Sequence, residues 1–374
     1  MDPLKLSPAS GREGTVLRKS GGILLAEFTN QMNPPLSYSL PAWASDGYAN
    51  HRACLDDLKS LGFRWVTFTP TYLVYDRSPM RIDIARGPGF AQLAEAVRYA
   101  AESGFHIRME PHLDFETTLT GGPHEWRRRM YFSPVGQYND EIVQPLLAML
   151  RATARPATKL EFTLGSELDV SLVEFSADWA KLFVKSAVSM GHKINHDSLE
   201  LYSPVRDALS AVRLRRGLPT AGRSEYRAMV RTLSLYLAQL DYVAFSFYPA
   251  VRGPGATQFA SEFRKRAVEL KGKLPAGPAF AVGEFGLGSA DVSRPYHSDP
   301  AALLGVPDLR QQYYLGFLEF LRQSGDVVGT RASSFWTVTH FDFLGALAWP
   351  GNEPFRDDIL RQAIYEYNTE AVPT

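Results

Sequence analysis

Disulfide bonding within this chain is excluded, because its 374 residues include a single cysteine, Cys54. A lone thiol does not indicate an oxidising compartment, so secretion is neither required nor excluded. Cys54 lies in an apparent helix over residues 50–61, where we expect it to be packed. The location is therefore open between a cytoplasmic protein and a secreted one whose leader is absent from this chain.

The chain also has no net charge, because its 40 basic residues balance its 40 acidic residues. Such a chain has no overall field to attract nucleic acid or an anionic membrane. Residues 1–20 contain no long apolar run and are interpreted as an N-terminal extension, not as a signal peptide or a membrane span. We expect a neutral partner, with no nucleic acid and no membrane.

No glycine-serine linker, charge block or low-complexity run divides the chain, so we predict one domain over residues 1–374. Short β-branched and aromatic runs alternate instead with longer amphipathic stretches, which is typical of βαβ units. The predicted strands cover 22–28, 64–70, 106–111, 159–165, 192–195, 242–249, 279–285 and 333–339. Eight such repeats predict an α/β fold, a single (β/α)8 TIM barrel.

The stretches between the strands have apolar residues at helical spacing. The clearest predicted helices cover 90–103, 140–154, 176–191, 226–240 and 355–367. Two proline-rich stretches, 32–43 and 251–258, follow predicted strands and are interpreted as βα loops. The active sites of such barrels are built from βα loops, so polar residues at the carboxyl ends of strands are the first candidates for function.

Two glutamates stand at such strand ends. Glu167 follows the fourth predicted strand in FTLGSELDVS, and Glu284 ends the seventh in FAVGEFGLGS. Retaining cleavage of a glycosidic bond needs a carboxylic acid and a carboxylate roughly 5 to 5.5 Å apart. Either glutamate alone could be a solvated residue or a helix cap. Together, on strands that meet at one barrel mouth, they predict catalysis, with Glu167 as acid/base and Glu284 as nucleophile.

The surrounding motifs resemble clan A of the glycoside hydrolases, and most of all glycoside hydrolase family 113, a family mainly of β-mannanases. LGSELDVS resembles the G-T-E-L segment around the family's acid/base, and GEFGLGS resembles T-E-I-G-Y-R-S around its nucleophile. LDYVAFSFYP resembles the sixth strand, and MEPHLDF followed by Trp126 resembles the third strand, with K-P-H and then Trp. The resemblance spans nearly the whole barrel and implies a retaining hydrolase of β-linked glycans.

The resemblance also implies roles for aromatic residues. Tyr248 would donate a hydrogen bond to Glu284 and keep its pKa low, and Trp336 would form the floor of the sugar subsite at the cleavage point. Trp126 is a further candidate for substrate binding. The alternative for each of these aromatic residues is that it only packs within the barrel.

Other positions match the family in part, and we predict substrate contacts there. Ser166 precedes the acid/base where the family has threonine and much of the clan has asparagine. Asn195 resembles the asparagine of an N-W-D segment, and His112 resembles the histidine of K-P-H. Glu110 stands where lysine is expected, which places an anion near the cleft and puts mannan in doubt as the substrate.

Three functions remain open at this point. The first is an endo-β-1,4-mannanase acting by double displacement. The second is a clan A hydrolase of another β-glycan, such as a galactan, a glucan or an amino-sugar polymer, whose cationic sugar could meet Glu110. The third is a barrel that binds carbohydrate without hydrolysis. No His-Glu-x-x-His or paired-histidine motif is present, so we predict no metal and no cofactor.

Overall fold

Eight parallel strands close into a barrel in the computed structural model of this chain. The structure describes residues 33–42, 51–75, 80–115, 127–183, 188–195, 204–249, 255–286, 307–328, 331–335 and 356–370. The barrel strands are β1 (Leu36–Ala42), β2 (Trp65–Tyr75), β4 (His106–Met109), β6 (Leu160–Ser166), β7 (Ser189–Asn195), β8 (Tyr242–Phe247), β9 (Ala279–Phe285) and β10 (Ser333–Phe335). Neighbours pair in that order, and β1 pairs with both β10 and β2, which closes the ring.

Helices cover the outside of the barrel. They are α1 (His51–Ser60), α2 (Phe90–Glu102), α3 (Gln144–Thr153), α4 (Asp169–Glu174), α5 (Ser176–Leu182), α6 (Pro204–Arg215), α7 (Arg223–Leu237), α8 (Ala256–Lys271), α9 (Pro307–Gln323) and α10 (Asp358–Thr369). Two short strands, β3 (Arg81–Asp83) and β5 (His112–Phe115), extend the sheet beside the far end of β2. The predicted (β/α)8 barrel is confirmed.

The first barrel strand corrects the interpretation of the proline-rich stretch 32–43 as a loop. Leu36–Ala42 is a strand, and its serine hydroxyls point into the barrel, where Ser37 contacts Thr67 and Ser39 contacts Ser334, each at 2.8 Å. Prolines precede the strand and stand near its end, which hid a strand whose inner face is small and polar. The predicted strand 22–28 lies outside the described residues.

The fifth barrel strand also differs from the sequence prediction. The helix predicted over 176–191 ends at Leu182, and Ser189–Asn195 forms β7, which begins three residues before the predicted strand 192–195. Apolar spacing alone does not separate a helix end from the start of a buried strand. Gly191 marks the strand, because a Cβ there would lie 2.2 Å from the ring of Tyr242 on β8.

The apolar core lies between the strands and the helices. The rings of Phe285 on β9 and Phe317 on α9 stack there with centroids 3.7 Å apart. The inside of the barrel carries serine, threonine and charged side chains instead, and these lead up to the candidate site. Within the described ranges, no helix has the length and apolar character needed to cross a membrane. The single domain over 1–374 stays a prediction.

Candidate active site

An irregularity of the sheet precedes each of the two candidate glutamates. The pairing of β6 with β7 shifts register between Thr163 and Ser166, just before Glu167. The pairing of β8 with β9 shifts between Phe245 and Ser246, because β9 contains an extra residue before Glu284. Such bulges redirect side chains and occur next to active sites. Both glutamates therefore leave the regular alternation of their strands at the carboxyl end of the barrel.

Glu167 is completely buried and has a left-handed backbone, with φ of 57°. A residue other than glycine adopts this conformation at a cost of about 1 kcal/mol or more, which is a reason to look for function. Its N–H donates to the carbonyl of Lys193 at 3.0 Å, which fixes the turn against β7. Its carboxylate accepts hydrogen bonds from Ser246 Oγ and, at 3.3 Å, from Arg127 Nη1.

Ser246 brings the two glutamates together. It is the β8 residue paired in register with Glu284 on β9, and its side chain hydrogen-bonds Glu167. Neighbouring strands lie about 4.8 Å apart, so the two carboxyl groups enter the same small space. Burial raises the pKa of Glu284, and the nearby charge of Glu167 also raises it.

Glu284 receives donors on both carboxylate oxygens. The hydroxyl of Tyr248 donates to Oε2 at 3.0 Å, and the ammonium of Lys193 donates to Oε1. His112 Nε2 lies 3.6 Å from Oε1. These groups hold the carboxylate from two sides at the end of β9.

The pKa of Glu284 differs from the expectation that tyrosine keeps it low. Burial raises this pKa to about 7, and the negative charges of Glu167 and Glu110 also raise it, while Lys193 and Arg127 oppose the rise. Because the carboxyls interact strongly, a proton bound near neutral pH belongs to the group and not to one residue. The site therefore holds a proton in the pH range where a general acid is useful.

Glu110 lies inside this site, immediately after β4, and is completely buried. Its Oε1 accepts from the ammonium of Lys193 and lies 3.2 Å from His112 Nε2. Burial alone would raise the pKa of Glu110, but Lys193 and His112 hold it well below its usual range. Glu110 is thus a buried carboxylate with a permanent counter-ion, not an open anion facing the cleft.

His112 is kept neutral in this cluster. Burial, together with the charges of Arg127 and Lys193, lowers the pKa of His112 to about 3 although Glu110 opposes the change. Its Nε2 lies 3.2 Å from Glu110 Oε1 and 3.3 Å from Lys193 Nζ, and the tautomer sets whether this nitrogen donates to the carboxylate or accepts from the ammonium. His112 therefore contributes a neutral imidazole.

Three of these side chains have the spacing of a metal site. One ligand atom from each of Glu110, His112 and Glu284 lies within 4.8 Å of the others. The ammonium of Lys193 contacts the same atoms of all three residues. The cluster is arranged around this ammonium, which supplies the positive charge that a metal ion would bring.

Arg127 supplies the second cation. Its guanidinium binds Asp114 Oδ1 at 2.9 Å through Nε and Glu167 through Nη1. Burial would lower the pKa of Arg127, but Asp114 and Glu167 hold it above its usual value. The residues whose charges meet at this end of the barrel are called the mouth cluster below, and they are Glu110, Glu167, Glu284, Lys193 and Arg127.

The other predicted site residues divide into two groups. Ser166 and Asn195 end β6 and β7 with buried side chains, and Ser166 Oγ lies 3.4 Å from Glu110. Trp126 and Trp336 lie outside the described residues. The substrate contact predicted for Trp126 and the subsite floor predicted for Trp336 therefore stay predictions.

Sequence analysis missed three members of the site, namely Lys193, Ser246 and Arg127. A usable signal existed for two of them, because side chains two residues apart in a strand share a face. Lys193 lies two residues before Asn195, and Ser246 lies two residues before Tyr248. A lysine inside a strand of a buried parallel sheet is unusual enough to mark a candidate site residue.

Solved structures with the same fold are glycoside hydrolases. The chain is similar to the GH113 β-mannanase AaManA from Alicyclobacillus acidocaldarius, with a TM-score of 0.53 and 13% identity over 91% of this chain and 99% of that one. Another GH113 β-1,4-mannanase has a TM-score of 0.53 at 10% identity, over 90% of this chain and 99% of that one. The GH53 catalytic domain of Ignisphaera aggregans gives 0.50 at 14% identity, covering 91% and 97%.

At these identities the similarity establishes the fold, in which the chain resembles these glycoside hydrolases. No protein-family model and no curated protein matches the sequence.

Proposed function

We propose that this protein is a retaining glycoside hydrolase of a β-linked glycan, with Glu167 as acid/base and Glu284 as nucleophile. The observation that carries the proposal is the placement of the two carboxyls. Both are buried at the carboxyl ends of barrel strands, and Ser246 links them through its backbone pairing and its hydroxyl. The glycoside hydrolases with the same fold support this class of reaction.

In the first step, the carboxylate of Glu284 attacks the anomeric carbon while the glycosidic C–O bond breaks. Glu167 gives its proton to the departing oxygen, and a glycosyl ester of Glu284 forms. In the second step, Glu167 takes a proton from water as the water oxygen attacks the anomeric carbon. The ester bond breaks, the Glu284 carboxylate is released, and Glu167 is protonated again.

The charges of the mouth cluster supply the proton for this cycle. Three buried carboxyls face two cations, and the partly exposed Asp114 also binds Arg127, so carboxyls outnumber cations and the cluster favours a bound proton. Tyr248 and Lys193 donate to Glu284 and stabilise its ionised form, which favours the proton on Glu167 when substrate is bound. Two carboxyls in unlike environments with one proton between them are the arrangement that acid/base chemistry uses.

A β-1,4-mannan is the first substrate in this proposal, because two solved structures of the same fold are β-mannanases. A different β-glycan is the second candidate, since the GH53 domain matches the fold almost as well and a fold does not choose a sugar. Glu110 gives no support to a cationic amino sugar, because its carboxylate is buried against Lys193.

The test is hydrolysis of a panel of β-linked mannan, galactan, glucan and chitosan polymers by the wild type, Glu167→Gln and Glu284→Gln. We expect release of reducing ends from mannan, loss of activity in both variants, and a first-formed product of retained configuration in proton NMR. Glu319→Gln, on the exposed side of α9, is the control and keeps full activity.

Two results would contradict the proposal. One is glycan binding by the wild type without turnover of any polymer, which would favour a binding barrel. The other is hydrolysis that Glu284→Gln retains, or that proceeds with inversion.

A further inference from the structure

The residue with the least expected position is Lys193. It lies on β7 between two strands that carry candidate catalytic groups, and its side chain is completely buried. A buried ammonium is costly unless its three N–H donors are all satisfied. Glu110 and Glu284 each present a carboxylate oxygen to Nζ, and His112 Nε2 lies 3.3 Å from it.

Strand β9, which lies two strands from β7 in the sheet, leaves space for this lysine. Gly283 is the extra residue in β9 before Glu284, and a Cβ there would lie 2.8 Å from Lys193 Cδ and 3.0 Å from Ala244 Cβ. The bulge that redirects Glu284 thus also leaves space for the lysine stem. One backbone feature places the carboxylate and its cation together.

Glu110 is the partner that holds Lys193 in place. Its other side-chain contacts are His112 Nε2 at 3.2 Å and two hydroxyls, Ser166 Oγ at 3.4 Å and Thr163 Oγ1 at 3.5 Å. With no solvent exposure, this carboxylate cannot leave the pair cheaply. Sequence analysis expected a cation at position 110, and the cation comes from β7 instead, with the anion at 110 as its counter-ion.

We propose that Lys193 is a positioning residue that orients the Glu284 carboxylate for attack, and that Glu110 keeps Lys193 in place for this task. The inference rests on the proposed function. Lys193 touches one oxygen of Glu284 and Tyr248 touches the other, so together they fix the carboxylate plane. The titratable and charged groups that face Glu284 are Lys193, Tyr248, His112, Glu110, Glu167 and Arg127.

The first test needs no enzymatic activity. Carbon-13 NMR follows the Glu284 carboxyl through a pH titration of the full-length protein, with the signal assigned from its loss in Glu284→Gln. We expect Lys193→Met to raise the pKa of Glu284 by about 1 or more, because a contacting cation is removed. Lys265→Met, at an exposed position of α8, is the matched control and leaves the titration unchanged.

The second test is kinetic. We expect Lys193→Met to lower kcat by about 100-fold with KM changed less than about 3-fold, and to move the acidic limb of the pH profile upward. Lys193→Arg restores part of the rate because it keeps the charge. If Lys193→Met does not fold, the double variant Lys193→Met with Glu110→Gln removes the orphaned carboxylate as well, and both readouts are repeated on it.

The outcomes separate the two proposals. A titration of Glu284 that does not move in Lys193→Met, with an unshifted pH profile, overturns the role of Lys193 even if the wild type hydrolyses mannan. A shifted titration in a protein that hydrolyses no glycan supports the placement of Lys193 and overturns the proposed function.

Discussion

The two ends of the barrel interior carry buried charges in opposite proportions. At the amino-terminal end, two guanidiniums meet one carboxylate, in a group called the base cluster here, formed by Arg108, Glu161, Arg331 and Tyr242. Arg108 binds Glu161 through Nε at 3.0 Å and Nη2 at 2.8 Å, and Arg331 binds it at 3.0 Å. The ring of Tyr242 faces both guanidiniums at 5.1 and 5.9 Å.

At the carboxyl end the proportion is reversed, because the mouth cluster has three carboxyls and two cations. The two guanidiniums bind both oxygens of Glu161 and fix the geometry of its carboxylate. At the mouth, burial raises the pKa of Glu284, and the negative charges of Glu167 and Glu110 add to the rise. Both regions are buried, and the comparison teaches that they differ in whether each carboxyl has enough cations to pair with.

The largest expected effect is at the mouth. Glu284→Gln removes the proposed nucleophile and should lower kcat/KM by about 10⁴-fold, which corresponds to more than 5 kcal/mol of transition-state stabilisation. Glu161→Gln is the matched change at the base, and it should keep the activity of each folded molecule. Kinetics on both variants at equal folded concentration measure this contrast, and equal losses would break the comparison.

The next effect is at the base. Arg108→Met leaves Glu161 with part of its donors and should lower the free energy of unfolding by about 3–5 kcal/mol. The pH profile of activity should not move. Urea unfolding measures the loss, and Arg52→Met, which breaks one exposed ion pair, should cost less than about 1 kcal/mol. If Arg108→Met lowers the free energy of unfolding no more than Arg52→Met does, the base cluster does not have the proposed structural role.

A smaller effect concerns stability against pH. Burial raises the pKa of Glu284 in the folded protein from 4.5 to about 7. The proton bound there therefore adds to the free energy of unfolding below pH 4.5, and this stabilisation is lost as the pH rises through 7. Glu284→Gln should therefore gain about 2 kcal/mol over the wild type between pH 5 and pH 8. Urea unfolding of both proteins across that range is the measurement. A constant difference would mean that Glu284 binds no extra proton.

The smallest effect tests the link between the glutamates. Ser246→Ala removes the hydroxyl that holds Glu167 and should lower kcat by about 10-fold, close to the value of one hydrogen bond to a charged group. Ser39→Ala, at another buried serine of the barrel interior, should change kcat less than about 2-fold. Comparable losses in the two variants would show that Ser246 acts only through packing.

Much of the fold followed from the sequence, because each buried parallel strand is a short run of apolar residues between amphipathic helices. The first strand was not predicted, because its inner face consists of Ser37 and Ser39 and prolines stand near both of its ends. The beginning of the fifth strand escaped because Ser189–Gly191 continues a helical pattern. Local patterns do not contain the pairing that decides such cases.

The site was predictable to a similar degree. Glu167 and Glu284 stand out because strand ends and their glycines mark them, and Tyr248 follows from the same strand logic. The expected cation at position 110 is replaced by an anion there and a lysine at position 193. The sequence alone did not show this, because the two side chains are 83 residues apart and meet only in the folded barrel. Arg127 was visible as a basic residue, but its aim at Glu167 depends on the folded chain.

The most direct test of the central claim is to trap the covalent intermediate. The wild type is incubated with activated β-glycosyl fluorides of the manno, gluco and galacto series in which fluorine replaces the 2-hydroxyl, and the labelled peptide is identified by mass spectrometry. We predict one sugar attached to Glu284, and none in Glu284→Gln. A sugar attached elsewhere, or turnover of a natural glycan with inverted configuration and no label, would contradict the assignment of Glu284 as nucleophile.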